Sequence, residues 1–132
     1  MSASKNSMRT ALGKVRNHGA GAAGTGHFIA QRSTGVALAV LAPWFVVNSA
    51  LSLKGGNYLG AIDFLTQPLN AVGVILLVLI AFYHMWLGMQ EVILDYIHRP
   101  IAKVLLLLLN TFGLIAFGAG AVFAVLMVNF GA

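Results

Sequence analysis

Three stretches of this chain, 33–53, 64–90 and 104–132, contain no Asp, Glu, Lys or Arg. A helix needs roughly 20 mostly apolar residues to cross the hydrocarbon core of a bilayer, so each run is long enough to span with some tilt. The two-residue alternation that a membrane barrel requires is absent, and a single run of this length satisfies its backbone groups in oil only by coiling into a helix. The sequence therefore predicts an all-α membrane protein with three transmembrane helices, at about 33–53, 66–96 and 104–130. Composition agrees: 59% of the 132 residues are hydrophobic and 8% charged, far more apolar surface than one small soluble core absorbs. There is no cysteine, so neither a disulfide nor a thiolate-held iron–sulfur cluster can come from this chain, and any such cluster belongs to a partner.

The net charge of +5 does not indicate nucleic acid, because the positive residues mark the span ends instead of forming a patch. Lys5, Arg9, Lys14, Arg16 and Arg32 precede the first span, Lys54 follows it, Arg99 and Lys103 lie between the second and third, and the tail has none. That alternation predicts a cytoplasmic N-terminus and an outside C-terminus. Residues 1–26, acid-free and rich in Ser, Ala and Gly, read as a basic cytoplasmic arm or as a mitochondrial transit peptide. The arm is the preferred reading, since no apolar signal core precedes Gly26. Residues 27–132 then form the three-span membrane domain.

Chemistry concentrates at the end of the second span, in AFYHMWLGMQEVILDYIHRP. His84 lies within the uncharged run, where an ionisable side chain costs a few kcal/mol and so points to function with a partner. At roughly 100° per residue, Gly88 lies about 40° from His84, and Glu91 and Asp95 return to within about 20° of it, so one helix face carries all four. Gly88 removes a side chain one turn from the imidazole, leaving room for something flat against the backbone. Haem has that shape, and a neutral imidazole is a common axial ligand of its iron. The alternative is a histidine that hydrogen-bonds across a helix pair with Gly88 as a packing notch. Spacing alone leaves both open.

In the first span, Pro43 removes a backbone donor and predicts a kink near Ala39. No ionisable residue lies between Ser33 and Leu53, which argues against an exporter built on a carboxylate there. Arg32 at the mouth of this span is either an interface anchor or a planar fork of donors for a carboxylate or a polar headgroup. After the Gly55-Gly56-Asn57 turn signal, YLGAIDFL suggests a short interfacial helix. Thr66 is the expected N-cap of the second span, with Pro68 in its first turn. Pro100 predicts that this element stops near His98. Ala116, Gly120 and Ala124 make a small-residue stripe on the third span, which permits close approach of another helix.

The pattern H-x-x-x-G followed by D-Y, here His84, Gly88, Asp95 and Tyr96, together with GTGHFIAQRSTGVAL before the first span and the three-span layout, resembles the small hydrophobic membrane-anchor subunit of succinate dehydrogenase. The resemblance implies that His84 is an axial ligand of the iron of haem b, shared with a partner subunit that supplies the second histidine. It also implies that Asp95 and Tyr96 lie at a ubiquinone site. Arg32 would then stand beside the quinone headgroup or a haem propionate. The implied partners are a second membrane-anchor (cytochrome b) subunit, an iron–sulfur subunit and a flavoprotein subunit. The implied location is the bacterial inner membrane in preference to the mitochondrial one, and the subunit is non-catalytic alone. Two other classes stay open at this point: the anchor of another quinone-linked cytochrome b complex, and a non-redox scaffold or transporter subunit.

Overall fold

A computed structural model describes residues 22–52 and 57–131. The described residues form four helices and no strand: α1 (Ala22–Ser52), α2 (Tyr58–Thr66), α3 (Pro68–Tyr96) and α4 (Pro100–Phe130). Three of them are long and apolar enough to cross a membrane, over Gly24–Ser52, Pro68–Tyr96 and Pro100–Phe130. At a rise of 1.5 Å per residue, helices of this length run to roughly 45 Å, so their ends project past a hydrocarbon core of about 30 Å. Most of the basic arm at 1–26, and Lys54 with the two glycines after it, lie outside the described residues. Residues 22–26 are already helical, so α1 starts well before the uncharged run, carrying His27 and Arg32 in regular helix.

The short helix after the first span forms, its N-cap Asn57 accepting the Gly60 N–H at 2.9 Å. Thr66 does not cap the next helix. It is the last residue of α2, its hydroxyl donating to the Asp63 carbonyl at 3.1 Å, and Gln67 alone separates α2 from α3. The reason is packing: Phe64, 5% exposed, is buried from the last turn of α2, which must therefore be completed before the chain turns. Pro68 falls in the first turn of α3, where its missing N–H has no acceptor to lose.

At the far end α3 stops at Tyr96, with the Ile97 N–H donating to the Ile93 carbonyl. Arg99 takes the extended angles (φ −75°, ψ 120°) that a following proline imposes. Pro100 also opens α4, so this helix begins four residues ahead of the predicted span and includes Lys103. Lys103 Nζ donates to the Leu94 carbonyl at 3.0 Å, tying α4 to the last turn of α3. At the other terminus of α4, Gly131 takes the left-handed cap conformation (φ 71°) that glycine adopts without steric cost.

The third transmembrane helix to be counted in sequence is not the centre of the bundle; α3 is. It packs against α1 on one side and α4 on the other, with α2 set against all three, while α1 and α4 do not meet among the described residues. The buried cluster of Phe64, Ala71, Val74 and Val125, with Phe45 packed beside it, gathers where α2 meets the start of α3. Phe45 and Phe64 meet edge to face at 6.2 Å between centroids, and the Trp44 ring lies over Gly73. The stripe Ala116, Gly120 and Ala124 sits on the exposed outer face of α4; it is Gly118 that faces α3, against Phe82.

Candidate functional site

Helical periodicity aligns His27, Gln31, Thr34 and Gly35 on one face of α1, at spacings of four, seven and eight residues. On α3 the same rule aligns His84, Gly88 and Glu91. The two faces meet. They border a groove of about 620 Å³ whose lining includes His27, Gln31, Arg32, Gly35, His84 and Glu91.

His84 is half-buried in the wall of this groove and held from α1 at both ring nitrogens. Thr34 Oγ1 lies 2.8 Å from His84 Nδ1 and also 2.8 Å from the Ala30 carbonyl. A hydroxyl has one proton, and here the carbonyl takes it, so Oγ1 accepts the proton of His84 Nδ1. Nε2 is then the unprotonated nitrogen. It is met by Gln31 Nε2 at 3.5 Å, the limit of a hydrogen bond. Gln31 Oε1 is buried without a hydrogen-bond partner, an arrangement that costs about 1–3 kcal/mol for a polar group. Two glycines border the ring and the amide. A Cβ at Gly35 would stand 3.5 Å from His84 Cε1, and one at Gly88 would stand 3.4 Å from Gln31 Nε2.

Toward the α1 N-terminal end the groove becomes charged. His27 Nδ1 lies 2.8 Å from Glu91 Oε1, bridging α1 and α3; the carboxylate is 59% exposed, so the pair contributes at most about 1 kcal/mol. Arg32 is exposed at the groove edge with its guanidinium 5.2 Å from the Phe28 ring centroid, a cation–π contact that leaves the N–H fork free to turn toward an anion.

The structure thus joins His84 and Arg32 around one groove, sets Gly88 beside the Gln31 amide, and leaves Gly88, Asp95 and Tyr96 outside the groove lining. Tyr96 is 74% exposed and Asp95 is exposed too, both on the last turn of α3, roughly 18 Å along the axis from His84 for Tyr96. His98 Nδ1 donates to the Tyr96 carbonyl at 3.1 Å and is exposed, in keeping with an interface residue. Sequence reasoning missed Thr34, His27 and Gly35 as parts of the site. The signal was present as the helical spacing from His27 to Gly35, but Ser, Thr and Gly in a membrane helix are common enough to hide it. Among the described residues no three His, Cys, Asp or Glu side chains gather into a metal-holding group.

Three apolar helices, two of which enclose a half-buried histidine, define a multi-pass α-helical membrane protein. The family described as succinate dehydrogenase/fumarate reductase transmembrane subunit matches residues 2–128. The chain is 30% identical over 100 residues to the succinate dehydrogenase hydrophobic membrane anchor subunit of Rickettsia conorii, covering 75% of this chain and 79% of that one. It is 33% identical over 89 residues to the corresponding subunit of Rickettsia bellii, covering 67% and 70%. No solved structure matches it. The chain belongs to the succinate dehydrogenase/fumarate reductase transmembrane subunit family, on the side of the succinate dehydrogenase membrane anchors.

Proposed function

We propose that this subunit anchors the soluble part of a succinate dehydrogenase to the bacterial inner membrane, supplies one axial ligand to a haem b, and helps form the site where electrons reach ubiquinone. The observation that carries the haem reading is the setting of His84: Nδ1 is engaged by a hydroxyl, while Nε2 has only a 3.5 Å contact for a neighbour. A metal-bound histidine has its second nitrogen donated in this way. The Gln31 amide, at the 3.5 Å limit of contact with Nε2, is the group that an incoming ligand would displace.

The rest of the groove fits the same group. Gly35 leaves one wall without a side chain, Val36 and Ala39 add exposed apolar surface, and Arg32 stands at the edge where a propionate would need a partner. When bound, the haem would supply a one-electron site whose potential its ligands and their hydrogen bonds tune. This chain's own contribution is to hold the ring: α1 orients the imidazole. The second ligand would come from a partner anchor subunit, and the iron–sulfur and flavoprotein subunits would dock on the cytoplasmic face with the α3–α4 turn. Met1 would lie on the cytoplasmic side and Ala132 outside.

Quinone would be met at the last turn of α3. Tyr96 is exposed there, and its phenol can donate to a quinone carbonyl as negative charge develops on reduction, with Asp95 orienting a neighbouring donor.

The test is His84→Leu in the assembled complex. The expected result is loss of haem, or a high-spin, labile residue of it, read from the reduced-minus-oxidised spectrum per complex. A low-spin haem at full occupancy in that variant would overturn the assignment.

A further inference from the structure

We infer that Thr34 is a positioning residue for the haem ligand: its hydroxyl accepts the Nδ1 proton of His84, thereby fixing which nitrogen is free and how strongly it donates. The inference rests on the proposal that His84 is an axial ligand. It goes further by locating, on another helix, the group that sets the ligand's state.

Three observations combine. Thr34 Oγ1 is 2.8 Å from His84 Nδ1, a good length for such a bond. The direction of that bond follows from the hydroxyl's other contacts, because the Ala30 carbonyl at 2.8 Å and the Gln31 carbonyl at 3.1 Å are both acceptors and compete for its single proton. Rotating the hydroxyl to donate to the imidazole would leave the ring protonated on the nitrogen facing Gln31, a donor meeting the Gln31 amide nitrogen. Finally, the next residue is Gly35, which faces His84 Cε1 at van der Waals distance. Thr34 and Gly35 together make a seat into which the ring fits in one orientation. Helix α1 also presents its own backbone through this hydroxyl, since the threonine is tethered to the carbonyl one turn before it.

The chemical consequence has a sign. An imidazole that donates from Nδ1 to an acceptor gains electron density at Nε2, which favours the oxidised iron over the reduced one and lowers the haem potential. Removing the acceptor raises it.

The experiment uses the assembled complex in membranes, with Thr34→Val, Thr34→Ala and Thr34→Ser compared with the parent by redox titration of the haem and by electron paramagnetic resonance of the ferric form. Valine keeps the volume and loses the hydroxyl. The expected result is a raised midpoint potential and a shifted low-spin ferric signal in the valine and alanine chains, with both restored by serine. Haem lost from the valine chain but kept by the serine chain supports the inference equally, since only the hydroxyl differs in kind. Parent potentials and spectra in valine and alanine overturn it. So does equal haem loss in all three, because serine, which keeps the hydroxyl, would then fail to rescue. The underlying reading fails separately: it falls if His84→Leu keeps its haem, whereas a silent Thr34→Val beside a haem-free His84→Leu sinks the role of Thr34 alone.

Discussion

Helix α3 has two working sides that differ in kind. Toward α1 it presents His84, Gly88 and Glu91 to a row of polar and small residues, and the helices are held by side-chain hydrogen bonds around a partly charged groove. Toward α4 it presents Phe82, Tyr83 and Trp86 to an almost wholly apolar groove of about 680 Å³ that Leu114, Ile115 and Gly118 also line. The α4 side has polar ties as well, but they serve packing. Trp86 Nε1 donates to Thr111 Oγ1 at 3.1 Å, and Asn110 Nδ2 donates to the Trp86 carbonyl at 3.2 Å. In both cases polar side chains bridge helices, as expected where no hydrophobic force drives helix association in lipid. The difference lies in what remains unsatisfied. The α4 side leaves no buried side-chain nitrogen or oxygen unpaired among the described residues, whereas the α1 side leaves the Gln31 amide oxygen orphaned next to an imidazole lone pair. Chemistry is expected on the side whose polar groups are incompletely paired.

Substitutions can break or sharpen that contrast. The largest effect is the loss of haem expected for His84→Leu, with no comparable loss from changes on the α4 side. Next is Tyr96→Phe, beyond both grooves: it should leave complex content, haem and succinate-to-dye activity near the parent while lowering succinate-to-quinone turnover by about one to three decades, the range for losing one donor to developing charge. Unchanged quinone turnover at equal complex content would make Tyr96 an interface aromatic and move the search for the quinone site to Arg32 and the partner subunit.

Glycines on the two sides should then respond differently. A Cβ at Gly73 would clash with the Trp44 ring of α1, whereas one at Gly118 would sit 3.5 Å from Phe82, an ordinary contact. Gly73→Ala should destabilise the complex by about 1–3 kcal/mol as the indole is forced aside. Gly118→Ala should be neutral or slightly stabilising, since alanine is the better helix former by about 1 kcal/mol. Thermal stability of the detergent-extracted complex measures both, and equal effects would show that the α1–α3 contact is no tighter than the other. The smallest effect is Trp86→Phe, which removes the bond to Thr111 and should cost about 0.5–1.5 kcal/mol in the same assay, with the haem spectrum unaltered. A changed spectrum there would mean that the two sides of α3 are coupled.

The sequence by itself determined the three spans and the turns at Pro68 and Pro100, and suggested the short helix over 58–65. Each follows from local physics: uncharged length against bilayer thickness, and the backbone limits of proline. It also singled out His84 and Gly88, because an ionisable group in oil is conspicuous without any neighbour being known. The tertiary structure decided what those residues face. Thr66 looked like a cap until the burial of Phe64 required another turn of α2. Arg99-Pro100 read as an ending, yet α3 is already capped by Ile97, and Arg99 is the N-cap of α4. The stripe at 116, 120 and 124 promised a helix contact, but the rotation of α4 about its axis, set by Gly118 and Val125 packing inward, turns it out of the chain. Thr34 is the sharpest case. Nothing local distinguishes it from any hydroxyl bonded back to its own helix; it becomes part of a site because α1 lies beside α3 at a register that brings residues 50 apart within 2.8 Å. Such a register is a property of two packed surfaces, and a pattern read along one strand of sequence does not contain it.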